Sequence, residues 1–356
     1  MSSCEAPVLS GQEISNFEQD GVVLLRGVLD RYDLETLMNG IEGVVDNLHA
    51  SATGYDVSDI RRQVFDDDGD AVQIGDASQY NLSKLGAVLR SSGARPLLDR
   101  MPAGAPKRGH FRLDTTTWRR NKYIRAMALD SVLPEIAAQL LRATKINYCD
   151  DQIFVKDPGT ADRTAFHQDY TYFNMRGVKG CVMWVCVDPA NEASGVPVYV
   201  RGSHKWGREF KPNLFLAQTP FPGSEGDDLP DIEGHLSDYD IVRFETKPGD
   251  IIVHHFRTVH GAGGNGSSRP RRAASLRYSG EDMRYFRRPG APPQPYHDHT
   301  LEDGDVLDSL CFPVVWPRPF PGFRLSPVYD AYEPDTAAKN YDGFRVPASA
   351  VLAGLL

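Results

Sequence analysis

The sequence predicts a mainly β protein, a sandwich or jelly roll with helices outside it. Three features point there. From about residue 146, short β-rich runs alternate with proline and glycine turns. Two earlier segments carry apolar residues at helical spacing. No repeat and no linker divides the 356 residues, so a single domain over 1–356 is expected.

In chain order, residues 1–12 read as a loose tail. Gly21–Arg26 is a short apolar run, as a buried strand requires. Asp30 can cap a helix in which Leu34, Leu37, Met38, Ile41, Val45 and Leu48 share a face. Residues 50–80 are polar. Their acidic run Asp66–Asp70 lacks the pattern of a calcium loop and reads as solvated surface. A second helix fits 131–143, with Val132, Leu133, Ile136, Ala137, Leu140 and Leu141 on its apolar face. Pro134 is tolerated there because it falls in the first turn. The β-rich runs cover 152–156, 181–187, 196–200, 239–244, 250–255 and 273–278, and Pro248–Gly249–Asp250 turns into the fifth of them. After about 285 the chain is rich in proline and aromatics and is expected to wrap the core in loops. The stretch 146–285 is the core that carries the site.

Composition narrows the function. A hydrophobic content of 41% and a charged content of 24% are ordinary for a soluble globular protein. The net charge of -9 speaks against a nucleic-acid partner. Five cysteines, Cys4, Cys149, Cys181, Cys186 and Cys311, contain no CxxC pair, which favours a reducing compartment. The N-terminus has neither the basic nor the apolar region of a signal peptide, and no stretch is apolar enough to span a membrane. A cytoplasmic protein is expected.

The chemistry lies in a split set of residues. Positions two apart on a strand share a face, so His167 and Asp169 would present an imidazole and a carboxylate together while Gln168 points away. A lone His-X-Asp also arises by chance on a polar edge strand. His260, 93 residues after His167, completes a facial triad that leaves three positions open on an octahedral metal and suits ferrous iron. Its surroundings, Thr258–Ser267, are glycine-rich, so backbone can approach a bound group. Arg271 opens a period-two run of Arg271, Ala273 and Ser275, and its guanidinium is a bidentate clamp for a carboxylate. The phase puts Arg272 on the opposite face. Gly261–Gly266 matches G-x-G-x-x-G, but Pro270 and the β-rich run after it supply no helix for a dinucleotide site. Together these residues suggest a non-haem iron oxygenase.

Phe166–Phe173, Gly202–Lys205, Lys247–Asp250, His260–Ala273 and the opening Asp20–Val28 together resemble the phytanoyl-CoA dioxygenase (PhyH-like) family of iron(II)/2-oxoglutarate oxygenases. The resemblance spans roughly residues 15–285. It implies a double-stranded β-helix (jelly roll, cupin-like) flanked by helices, with His167, Asp169 and His260 as iron ligands. It also implies Arg271 on the distal carboxylate of 2-oxoglutarate, with Trp184 lining the cosubstrate site and Lys156 bordering it. One departure is Ala262, where the family often has Ser; Ser275 is a candidate to supply the missing hydrogen bond. Related halogenases lack the carboxylate, so Asp169 implies hydroxylation or a similar oxidation driven by 2-oxoglutarate and O2, with succinate and CO2 released. Tyr170 and Gln152 are expected to meet a small organic substrate or natural product. Desaturation, epoxidation, ring formation and non-catalytic ligand capture remain open alternatives. His204, His254 and His255 are not expected to be ligands.

Overall fold

The computed structural model describes residues 6–48, 51, 53–58, 109–213, 218, 220, 223–289, 291 and 300–330. The acidic run 66–70 lies outside them. The helices are α1 (Gly11–Asp20), α2 (Arg31–Asp46), α3 (Lys122–Asp130), α4 (Leu133–Leu141) and α5 (Ser326–Asp330). The strands of the larger sheet are β1 (Val22–Leu25), β2 (Tyr55–Asp56), β3 (Phe111–Thr115), β4 (Ile146–Lys156), β7 (Gly180–Cys186), β10 (Ile251–His255), β12 (Arg271–Gly280) and β14 (Val314–Trp316). They run β1-β10-β7-β12-β4-β3-β2, with β14 also on β4. The smaller sheet is β5-β11-β8-β9, built from β5 (Thr164–His167), β8 (Pro197–Val200), β9 (Ile241–Arg243) and β11 (His260–Ala262). A short ribbon pairs β6 (Met175–Arg176) with β13 (Arg284–Tyr285). These strands all pair antiparallel, and the two larger sheets form the expected jelly-roll core.

The larger sheet is covered on both faces, so its central strands are buried at every position but Arg272 instead of alternating. Ile153, Val155, Met183, Val185, Ala274, Leu276 and Tyr278 pack outward in one cluster with the helices. The alternate residues face the barrel interior, among them Gln152, Trp184, Arg271 and Ser275. Register places Gln152, Ser275 and Trp184 in one row across β4, β12 and β7.

Asp30 caps α2 by accepting from the Asp33 amide, and Pro134 sits in the first turn of α4, as expected. Two helices ahead of the β-rich core were not legible. In α1 the only buried residue is Phe17, so no apolar stripe marks it, although Ser10 and Glu13 form a capping box. In α3, only nine residues long, the buried face includes Arg125, whose guanidinium donates to the Trp118 and Arg119 carbonyls. The expected loose tail is docked from residue 6 on. Ala6 and Leu9 are buried, the Leu9 amide donates to Gln139 Oε1, and Gln139 Nε2 donates to the Pro7 carbonyl. Beyond residue 285 the chain is more than loops, since β14 adds a strand to β4 and α5 packs on α3. Gly249 has φ 98°, which the turn into β10 requires, and Asp250 behind it accepts from the Gly27 and Lys247 amides.

Candidate active site

The smaller sheet delivers His167 and His260, and the turn just past β5 delivers Asp169. His260 opens β11 and pairs with His167 on one side and Tyr199 on the other. The two imidazoles are therefore neighbours, with ring centroids 4.3 Å apart. Asp169 arrives differently from the expected strand alternation. β5 ends at His167, and Asp169 is helical (φ -66°, ψ -33°) as it leads into a tight turn over Tyr170–Tyr172. One donor atom from each of His167, Asp169 and His260 lies within 4.8 Å of the other two, and all three side chains are buried.

Backbone carbonyls set the imidazoles. His167 Nδ1 donates to the Ala165 carbonyl at 2.9 Å and His260 Nδ1 to the Thr258 carbonyl at 3.0 Å. A carbonyl only accepts, so Nδ1 carries the proton and Nε2 keeps its lone pair. Burial, and then the neighbouring imidazole, pushes His167 down to about 3 and His260 to about 4, so both rings are neutral at neutral pH. Asp169 is held from the opposite sheet. His254 Nε2 donates to its Oδ2 at 3.0 Å and Arg277 Nη2 to its Oδ1 at 3.2 Å. Burial alone would raise this carboxyl, but Arg277, His254 and His260 together hold it well below the usual range. Nitrogen and carboxylate donors, neutral and converging in a buried pocket, fit ferrous iron.

The triad opens into a pocket of about 440 Å³, counting the open solvent at its mouth. Arg271 lines it and is buried, and its Nε has no acceptor among the described residues. Its guanidinium lies 5.8 Å from the Trp184 ring centroid. Arg272 turns outward to Asp188 and Glu42. Trp184, Ser275 and Gln152 also line the pocket.

Two expected residues are elsewhere. Lys156 is the cross-strand neighbour of Arg271 but is not among the lining residues. Its Nζ donates to the Gly263 carbonyl at 2.7 Å and sits 4.2 Å from the Phe111 ring centroid. Tyr170 is turned away from the pocket because the helical turn at Asp169 breaks the strand phase. Its ring lies beside the Arg257 and Arg288 guanidiniums and its hydroxyl accepts from the Gly177 amide. Of the glycines after His260, Gly261 lines the pocket, while Gly264 serves packing within the chain. A Cβ on Gly264 would lie 2.4 Å from the Thr160 carbonyl, so the close approach is between two stretches of this chain's backbone.

Sequence reasoning missed Arg277, Tyr199 and the part played by His254. Arg277 was reachable, because the period-two run through Arg271, Ala273 and Ser275 arrives at it in one more step. His254 is not one of the clustered ligands, but it binds one of them.

The depressed histidines predict acid lability. His255, with burial as the main cause, is also pushed down to about 3. Below about 6.5 the unfolded chain takes up protons on all three rings while the folded, metal-free protein does not. Stability is therefore full above pH 6.5 and falls towards pH 4, by roughly 1.4 kcal/mol per pH unit for each histidine. Thermal unfolding of chelator-treated protein between pH 7.5 and 4.5 measures this, and a flat melting temperature would refute it.

Residues 17–273 match the family model of phytanoyl-CoA dioxygenase (PhyH). Over 146 residues the chain is 29% identical to a probable phytanoyl-CoA dioxygenase of Caenorhabditis elegans, covering 39% of this chain and 44% of that protein. The chain thus spans less than half the length of this relative. Among solved structures it is similar to the non-heme alpha ketoglutarate dependent carbocyclase SnoK from nogalamycin biosynthesis, 22% identical over 86% of this chain and 96% of that one, with a TM-score of 0.57. It is also similar to the epimerase SnoN in complex with Fe3+, alpha ketoglutarate and nogalamycin RO, 17% identical over 85% and 97%, with a TM-score of 0.56. EctD from S. alaskensis with 2-oxoglutarate and 5-hydroxyectoine is 16% identical over 83% and 85%, with a TM-score of 0.52. At these identities the likeness shows a shared fold. No helix among the described residues is long and apolar enough to cross a membrane. With the family model matched across most of its length, the chain belongs to the phytanoyl-CoA dioxygenase (PhyH) family of iron- and 2-oxoglutarate-dependent dioxygenases.

Proposed function

We propose that this protein hydroxylates a small organic molecule, consuming 2-oxoglutarate and O2 and releasing succinate and CO2. His167, Asp169 and His260 hold the ferrous ion, and Arg271 pairs with the distal carboxylate of 2-oxoglutarate. When bound, iron supplies the activation of oxygen coupled to decarboxylation of the cosubstrate. The chain's own residues bind, orient and exclude water. Asp169 fills the third ligand position, which a halide would need, and so favours oxygen insertion over halogenation.

The observation that carries this proposal is Arg271, a buried guanidinium with an unmatched Nε in the same pocket as the three converging donors. A buried cation without a counter-ion is costly, and a ligand carboxylate removes that cost. Trp184 and Ser275 line the same space. Gln152 bears on substrate choice. Its Oε1 accepts from Arg277 Nη2 at 2.9 Å, and a guanidinium only donates, so the amide orientation is determined. The Nε2 therefore offers its protons to the pocket, and it has no partner among the described residues. A substrate with a carbonyl, carboxylate or hydroxyl near the reacting carbon satisfies it.

Anaerobic titration of metal-free protein with ferrous iron and then 2-oxoglutarate tests the cofactor assignment. A weak visible charge-transfer band is expected only when both are present. Folded, iron-loaded protein that never develops the band would overturn the proposal. A product heavier by one oxygen atom identifies hydroxylation, and one lighter by two hydrogens identifies desaturation.

A further inference from the structure

A third unmet group belongs to a residue that lines the same pocket. Tyr199 lies on β8 and is fully buried, and its hydroxyl has no partner among the described residues. Its ring stacks on His260 at 24° with centroids 5.6 Å apart, and lies 5.1 Å from His254. It also belongs to the interior apolar cluster of Trp184, Cys186 and Ala273, so the ring is gripped on several sides. Other buried tyrosines are matched. Tyr278 donates to the Ala128 carbonyl, Tyr172 accepts from the Asn213 amide, and Tyr170 accepts from the Gly177 amide. Tyr148, also unmatched, packs in the cluster outside the barrel, away from the pocket.

An orphaned hydroxyl in a buried site carries a desolvation cost that an incoming acceptor removes. Its apolar cluster offers no strong acceptor, and neither the Asp169 carboxylate nor His254 Nδ1, which share the pocket, receives the hydroxyl. The Arg271 guanidinium is near Trp184 of that same cluster, so a carboxylate drawn to Arg271 enters the space Tyr199 borders. A carboxylate accepts more hydrogen bonds than one guanidinium supplies. Ala262 lines this pocket with a methyl group where a serine hydroxyl would have offered one more.

We propose that Tyr199 donates its hydroxyl proton in a hydrogen bond to the distal carboxylate of 2-oxoglutarate, beside Arg271, supplying the donor that Ala262 lacks. This rests on the cosubstrate assignment of the preceding section. It makes Tyr199, and not Ser275, the second anchor of the cosubstrate.

Tyr199→Phe keeps the ring and removes only the hydroxyl. Affinity is measured anaerobically on ferrous protein, with 2-oxoglutarate and with 2-oxobutanoate, which has the same keto-acid end and no distal carboxylate. The expected result is a loss of about 10- to 100-fold for 2-oxoglutarate, the scale of one hydrogen bond to a charged group, with 2-oxobutanoate unchanged. Adding Ala262→Ser to Tyr199→Phe should recover part of the loss. Equal losses for both ligands would show a packing defect and overturn the proposal. So would wild-type affinity in Tyr199→Phe, or the selective loss appearing in Ser275→Ala instead. A wild-type protein that binds 2-oxobutanoate and 2-oxoglutarate equally would refute both the anchor and the Arg271 pairing, whereas no keto-acid binding at all refutes the preceding section.

Discussion

Arg271→Ala is expected to leave a folded, iron-binding protein that binds 2-oxoglutarate more weakly by two to three orders of magnitude. Removing one member of a buried ion pair costs about 3–5 kcal/mol, because the other charge is left in a low-dielectric site without compensation. Nothing adjacent can take over. Lys156 is its cross-strand neighbour, but its amine is spent on the Gly263 carbonyl, and burial, then Arg271 itself, pushes it well below the usual amine range. Arg272 faces the other way and is paired with Asp188 and Glu42. Arg272→Ala should therefore bind 2-oxoglutarate like the parent protein. Calorimetric titration of both variants decides the matter, and the proposal fails if the weakened binding follows Arg272.

Asp169→Asn should abolish succinate formation and loosen iron enough for a mild chelator to strip it. The asparagine retains one oxygen acceptor but loses the charge, so the metal loses its anionic ligand. Arg277 keeps Gln152 as a partner and stays near Asp150. The variant should consequently fold, with a melting temperature lowered by the loss of one charge-assisted contact, worth about 1.5–3 kcal/mol. Asp169→Ala strands Arg277 and His254 as well and should be the less stable of the two. Bound iron, succinate yield and thermal unfolding measured on the same preparation separate lost chemistry from lost fold. Full turnover in Asp169→Asn would remove Asp169 from the ligand set.

What could be read from the sequence follows from which interactions are local. The inward phase of Arg271, Ala273 and Ser275 was legible because strand alternation depends on the chain alone, and it distinguished Arg271 from Arg272. The helix at 31–46 was legible because an apolar stripe and a cap occur together, and that at 133–141 because its stripe begins at a proline placed in the first turn. α1 and α3 carry caps without a clear stripe and were not. The pairing of His167 with Asp169 was anticipated on an incomplete physical basis, since a strand end and a helical turn bring them together, and the same turn made Tyr170 unreadable. His254 could be excluded as a ligand, but its bond to Asp169 joins opposite sheets, and no spacing along the chain encodes that distance.

That bond, with its companion from Arg277, ties two things that need not have been tied. Two of the three donors to the proposed metal site, His167 and His260, lie on the smaller sheet, and the carboxylate, in the turn just past β5, is steadied by β10 and β12 of the larger one. The spacing of the barrel walls and the bite of the donor set are thus a single mechanical variable. A substitution far out under α4 that lets the walls part would slacken the carboxylate before it melted any strand. Iron retention becomes a gauge of packing at residues that never meet the metal, and an early warning of a barrel working loose.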